Sequence, residues 1–250
     1  MASHPQSRPQ MKGHFISPTI TIRRSEERGH AIHEGLDARH SFSFANYHDP
    51  AHMGYRSLRV INDDTVAPGK GFGMHPHKSM EIFTFIVEGS LRHEDSIGNG
   101  RVIKAGEFQY MSAGSGVLHS ELNPSPDTPV KLLQIWITPA QPGGDPRYQD
   151  FDVSQLSRRD GLALLASPDG RDGSISIRQN AEVLHGLLPR GESVLLKESA
   201  DRPYTWLQLV RGSLGLGDES LHPGDAAAFD HAELELTARE DAEFLLFRLG

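Results

Sequence analysis

Two pairs of side chains, His75 with His77 and His119 with Glu121, are each separated by a single residue. In a β-strand that spacing puts both members of a pair on one face, roughly 6 to 7 Å apart, whereas a helix would turn them to different sides. The four side chains can therefore serve one ion only if the chain around them is extended. Each pair alone is weak evidence. A chain of 250 residues with 14 histidines should contain roughly one His-x-His and about one His-x-Glu by chance. His93-x-Asp95 is a comparable decoy by the same count. The framing is more specific, because Gly69, Gly71 and Gly73 precede the first pair, and Gly114 and Gly116 the second. Glycine there permits the tight turns that deliver two strands to one place.

The rest of the chain also reads as strand. Short β-rich runs at 57–61, 80–87, 101–103, 108–111 and 131–137 are separated by turn signals, and no long helical periodicity interrupts them. Residues 82–87 (IFTFIV) form a continuous apolar run, as expected of a strand buried on both sides. Gly98-Asn99-Gly100 marks a hairpin turn and residues 124–129 a loop. An antiparallel barrel or sandwich fits this pattern. Residues 1–18, with three prolines and no acidic side chain, read as a flexible extension; 19–139 form a first domain and 140–159, opening with AQPGGDP, a linker. Strand-like runs resume over 160–250. Val210-Arg211-Gly212-Ser213-Leu214 echoes Val87-Glu88-Gly89-Ser90-Leu91, and Pro223-Gly224-Asp225 echoes Ala105-Gly106-Glu107. The ligand positions are not echoed. Counting from Gly212 and Gly224 lands on Glu198, Ala200, Thr237 and Arg239, so the second domain is expected to hold no metal.

Composition excludes several function classes. Without cysteine there is no disulfide, iron–sulfur cluster or thiolate zinc site, so a metal must be held by nitrogen and oxygen. A formal charge of −8 and a pI near 5.9 argue against an electrostatic footprint for nucleic acid. No run approaches the 18 or so apolar residues of a membrane span, and the first residues lack the apolar core of a signal peptide, so a cytoplasmic protein is expected.

The run Gly69-x5-His75-x-His77-x3-Glu81, with Gly89 closing the next strand, resembles the first motif of the cupins, and Gly116-x2-His119-x3-Asn123 the end of the second. The finer wording, HPHKSMEIFTFIVEG and MSAGSGVLHSELN, is similar to the pirin branch, which includes bacterial quercetin 2,3-dioxygenases. SFSFANY (41–47) and LRVINDD (58–64) extend the likeness, which covers nearly all of the chain from about Thr19. Gly114 stands where the general second motif has proline, and the segment from Gly106 to His119 is longer than in the general pattern; both departures look pirin-like.

The resemblance implies an all-β bicupin, two antiparallel jelly-roll barrels related by the internal repeat. One divalent metal would be held by His75, His77, His119 and Glu121. Iron(II) comes first, with manganese, nickel, copper and zinc also suited to three imidazoles and a carboxylate. Glu81, a ligand in many other cupins, would support the site without binding the ion. The implied activity is opening of a quercetin-like flavonol ring with dioxygen, with Glu121 as the base that takes the substrate's hydroxyl proton. A regulatory protein that binds metal and acts through a protein partner is the alternative. The early histidines His30, His33, His40, His48 and His52, and the later His185, His222 and His231, read as surface or packing residues. Asn123 reads as a turn residue before Pro124, and Trp136 and Trp206 as core.

Overall fold

Almost every ordered segment is a strand, as short apolar runs bounded by turn residues require. The computed structural model describes residues 20–231 and 233–250, so the extension expected over 1–18 lies outside the described residues. In chain order the first strands are β1 (Thr21–Arg23), β2 (Gly29–His33), β3 (Leu36–His40), β4 (Leu58–Val66), β5 (Gly71–His77), β6 (Glu81–Glu88), β7 (Ser90–Asp95), β8 (Gly100–Lys104), β9 (Glu107–Ser112), β10 (Val117–Leu122), β11 (Val130–Ile137) and β12 (Arg147–Asp152). There follow β13 (Leu162–Ser167), β14 (Ile175–Ser176), β15 (Ala181–Leu188), β16 (Ser193–Leu196), β17 (Tyr204–Arg211), β18 (Leu214–Leu216), β19 (Glu219–Leu221), β20 (Ala226–Asp230), β21 (Leu234–Ala238) and β22 (Ala242–Leu249). Among the described residues, helix is confined to three single 3-10 turns.

The strands pair as four open sheets rather than as closed barrels. The first half has a seven-stranded sheet, β12-β9-β6-β11-β4-β3-β2, facing a four-stranded one, β5-β10-β7-β8. The second half repeats the plan, with β1-β20-β17-β22-β15-β13-β14 facing β16-β21-β18-β19. The two large sheets pack back to back, and period-two alternation sorts their side chains. On β22, Leu245, Phe247 and Leu249 enter the seam between halves, while Phe244 and Leu246 enter the second half's own core. On β6, Phe83, Phe85 and Val87 enter the seam, while Ile82 and Ile86 face the interior of the first half.

Two segments sit differently from the sequence reading. β1, expected to open the first domain, pairs antiparallel with β20 and extends the second half's sheet. Its exit is fixed by the buried Asp225 carboxylate, which accepts from the Ser25 and His222 backbone N–H groups and from the Arg24 guanidinium. Within the expected linker, Arg147–Asp152 forms β12, which pairs with β9 at the sheet edge. Short polar edge strands lack an apolar run to announce them; here the unpaired backbone of β9 recruits the strand.

The internal repeat has a steric counterpart. Gly89 and Gly212 both have left-handed φ (78° and 76°), and a Cβ on either would press on a backbone carbonyl, Pro129 O at 2.7 Å and Asp241 O at 2.0 Å. Glycine relieves both demands at once.

Candidate metal centre

β5 is an edge strand at the mouth of the first half, and its pairing with β10 sets His75 opposite His119. The register steps between His119 and Glu121: Glu121 pairs with Phe72, so Gly73 and Met74 together oppose Ser120. This bulge re-aims the strand just before its two histidines. Gly71 makes the approach feasible, because its φ is 150° and a Cβ would lie 2.1 Å from the Glu121 carbonyl oxygen. A side chain there would push β5 off β10.

Three imidazoles converge as a result. Ring centroids of His75, His77 and His119 are 4.4 to 4.8 Å apart, and the Nε2 atoms of His75 and His119 face each other at 3.1 Å. His75 Nδ1–H donates to the Gly73 carbonyl at 2.7 Å, which fixes the tautomer and leaves the Nε2 lone pair free. His77 Nε2 is buried without a hydrogen-bond partner, as is His119 Nδ1. Burial, and secondarily His75, depresses the His77 pKa to about 4. Burial, then His75, His77 and His93, depresses that of His119 to about 2. Both rings are neutral at ordinary pH, the form that binds metal.

These residues fit a divalent ion. Adjacent ligands about 2.1 Å from an ion stand roughly 3.0 Å apart at octahedral angles and about 3.4 Å apart at tetrahedral ones. At 3.1 Å, His75 Nε2 and His119 Nε2 are close enough to bind one ion together. The orphaned His77 nitrogen supplies a third donor to the same face.

Glu121 is on the same face of β10 as His119 but is held deeper. Its ligand atoms group with those of His93 and His119, whereas His75 and His77 group with His119 alone; His119 is common to both groups. Thr84 Oγ1 lies 3.2 Å from Glu121 Oε1 and 2.7 Å from Gln134 Oε1, and Gln134 Nε2 donates to Glu121 Oε2 at 3.2 Å. One hydroxyl hydrogen cannot serve two acceptors, so when Thr84 donates to Gln134 the ring closes only if Glu121 carries a proton. Burial raises the Glu121 pKa to about 7, against the opposing pull of Thr84 and Gln134.

Glu81, the other carboxylate of the first motif, points the opposite way. It accepts from Tyr110 Oη (2.5 Å), Ser112 Oγ (2.7 Å) and, across the seam, the Arg178 backbone N–H (3.2 Å). Alternation on β6 turns it from the imidazoles, so its role is to bond the two halves rather than to support the site from behind.

His93, discounted as a decoy by count, lies in the site. β7 pairs with β10 so that His93 opposes Glu121 and Asp95 opposes His119. Both its ring nitrogens are engaged, Nε2 with Asp95 Oδ2 (3.1 Å) and Nδ1 with the Gln109 amide (2.9 Å), which leaves no lone pair for an ion. Thr84 and Gln134 also escaped the sequence reading. Each is a lone polar residue within an apolar run, IFTFIV and LLQIWI, and that was the available signal. The signal is not unique, because Gln208 in the run WLQLV bonds only backbone carbonyls.

Trp136 is half-buried and meets His77 edge-on at 4.9 Å, so it borders the site, whereas Trp206 packs in the seam on Phe42. Asn123 is a turn residue, bonding Val66 O, Thr128 O and the Ser125 N–H. Buried His40 bonds Asn62, and buried His185 lies between Arg158 and Glu243. In the second half Glu198 is exposed beside His231, and Thr237 bonds Ser193. Recesses of about 410 Å³ and about 560 Å³ flank β5, the first reaching His75 at Phe72 and Lys70, the second reaching His77 at Lys78 and Leu118. Both volumes suit a small organic ligand. No helix among the described residues is long and apolar enough to cross a membrane.

Known proteins resemble this chain over most of its length. The pirin family profile matches residues 21–137, and the quercetinase C-terminal cupin domain matches residues 164–249. A quercetin 2,3-dioxygenase of Escherichia coli K12 is 45% identical over 233 residues, covering 92% of this chain and 98% of the relative. A putative quercetin 2,3-dioxygenase of Pasteurella multocida is 42% identical over 92% of this chain and 99% of its own length. The crystal structure of the bacterial pirin YhhW of Escherichia coli in complex with nickel(II) superposes with a TM-score of 0.87 at 43% identity, covering 92% of this chain and 99% of that one. With this cupin-type two-domain architecture and a His/Glu cluster in its first half, the chain belongs to the pirin family.

Proposed function

We propose that this protein is a metal-dependent dioxygenase that opens the ring of quercetin-like flavonols, with one ion per chain held by His75, His77, His119 and Glu121 in the domain spanning 19–139 and none in 160–250. The observation that carries the reading is the convergence of three imidazoles, two of them with Nε2 atoms 3.1 Å apart, beside recesses open to a small ligand. When bound, a divalent ion supplies Lewis acidity and a redox partner for dioxygen; iron(II) is our first choice, and nickel is supported by the complex of the relative.

The chain's own contribution is positioning and proton handling. The Gly73 carbonyl orients His75 and the Trp136 edge restrains His77. A carboxyl with a pKa near 7 is matched to accept a proton at neutral pH, which makes Glu121 the base for the flavonol hydroxyl. Oxygen uptake with quercetin, measured together with elemental analysis of the purified protein, tests the proposal. Metal-loaded protein that consumes no oxygen with quercetin or related flavonols would overturn it.

One observation favours the regulatory alternative. Met74 and Leu118, 57% and 45% exposed, are the sequence neighbours of His75 and His119 and face outward on the same two strands. An apolar strip so close to the ion is placed to present a metal-sensitive surface to a protein partner. A protein that binds metal tightly yet shows no uptake would move the assignment to that reading.

A further inference from the structure

The bonds that hold Glu121 have a consequence for the ion. Thr84 lies on the interior row of β6 between Ile82 and Ile86, and Gln134 lies on that of β11 between Leu132 and Trp136. Thr84 and Gln134 pair directly across the β6–β11 ladder, and neither has any other side-chain hydrogen bond. Two polar residues facing each other in otherwise apolar rows satisfy each other only in part. The remaining capacity of both is directed at the two oxygens of one carboxylate, Thr84 at Oε1 and Gln134 at Oε2. All three residues are buried, so water does not compete for these contacts and their loss leaves unpaired polar groups. With both oxygens so engaged, Glu121 keeps to the group formed with His93 and His119 and stands outside the His75, His77, His119 group.

We infer that Thr84 and Gln134 are positioning residues that compete with the ion for the Glu121 carboxylate and thereby set whether it serves as a fourth ligand. The inference rests on the ligand set proposed above and adds a second resting place for its carboxylate. It also resolves a conflict in that proposal, because a carboxylate bound to the ion is a poor base. In its bonds to Thr84 and Gln134, Glu121 has a prepared site in which a proton taken from a substrate hydroxyl would be retained. The substrate O–H bond breaks, an O–H bond forms on Glu121 and the substrate is left anionic, with no change of oxidation state. In that site Thr84 Oγ1 accepts from the new carboxyl hydrogen while donating its own to Gln134.

Calorimetric titration of the full-length, metal-stripped protein with nickel(II) alone tests the inference. Thr84→Val removes the hydroxyl at nearly constant shape and Gln134→Leu removes the amide. Each should tighten nickel binding by about 3- to 10-fold, the range expected when one competing hydrogen bond is lost. Thr84→Ser, which keeps the hydroxyl, should restore the parental affinity. In the Glu121→Gln background the effect of Thr84→Val should vanish, because a positioning residue acts only through the group it positions. Thermal unfolding of the metal-free variants reports any general damage, and if Gln134→Leu fails to fold, the Thr84 series decides alone. Unchanged or weakened nickel binding in Thr84→Val, or tightening that persists without the Glu121 carboxylate, overturns the inference. Failure of the ligand set looks different: the parent takes up no nickel, or Glu121→Gln binds it as well as the parent does.

Discussion

Glu81 and Glu121 are both buried carboxylates of the two metal-site motifs, yet they lie on opposite sides of the first half's large sheet: Glu121, carried by the facing sheet, in the interior beside His93 and His119, and Glu81 in the seam, bonded to Tyr110. Glu81→Gln should therefore leave metal content unchanged. Glu81→Ala strips partners from Tyr110, Ser112 and the Arg178 backbone together and should lower stability by about 3 kcal/mol. Denaturant unfolding and elemental analysis of the two variants check this; loss of metal from Glu81→Gln would contradict the assignment of faces.

His119 belongs to both ligand groups and is fully buried. Its replacement by alanine should weaken metal binding by at least about 100-fold, more than loss of a residue that merely supports a ligand. Circular dichroism should still show a folded β-protein, because the seam and the leucine-rich core of the second half are untouched. Retention of a full equivalent of metal would remove His119 from the ligand set.

Glu121→Gln separates binding from turnover. The three imidazoles still form a face for a divalent ion, so nickel or iron should remain bound at millimolar supply, with affinity reduced by about 10-fold or more. Quercetin-dependent oxygen uptake should fall further, by about 100-fold or more, because the proton acceptor is gone. Parallel loss of metal and uptake would mean that the carboxylate is only a ligand.

Metal-linked proton release should come from Glu121 rather than from His77 or His119. His77 and His119 have pKa values of about 4 and 2, so neither carries a proton to release between pH 5 and 8. Glu121, raised to about 7, does: below pH 7 the ion must displace its proton, so affinity rises with pH and levels off above about 7. Calorimetry in buffers of different ionisation enthalpy should count close to one proton more for the parent than for Glu121→Gln at pH 6.

Above about pH 6.5 the metal-free protein should lose stability as pH rises. Asp64 is buried, its Oδ1 lacks a partner, and burial, with Asp63 and Glu121, raises its pKa from 3.8 to about 8. Between those values the folded state binds more protons than the unfolded state, so stability is full below about pH 4 for this group and falls through pH 8. Glu121 acts in the same direction up to about pH 7. His77 and His119, with pKa values lowered to about 4 and 2, act the opposite way below about pH 6.5, so the Asp64 effect is read above that range: from pH 6.5 to 8 Tm should drop by about 3 °C, and by less in Asp64→Asn. An equal change of Tm in the parent and in Asp64→Asn from pH 6.5 to 8 would contradict the burial argument.

Strand alternation is a local property, and it was legible. One-residue spacing put His75 with His77 and His119 with Glu121 on shared faces, and apolar runs such as IFTFIV announced buried strands. The echo of Gly89 in Gly212 also carried through, because both positions impose the same left-handed turn against a neighbouring carbonyl. Lateral pairing is not local. Spacing within β7 could not reveal that it would lie against β10 and bring His93 beside Glu121, nor that β1 would cross to β20, nor that a polar stretch past Gly144 would complete an edge as β12. The choice between Glu81 and Glu121 likewise depended on which face of β6 met the second half. Such contacts join segments tens to hundreds of residues apart, so they are fixed by which sheet edges and apolar faces remain to be covered when the whole chain packs, information that no short window of sequence contains.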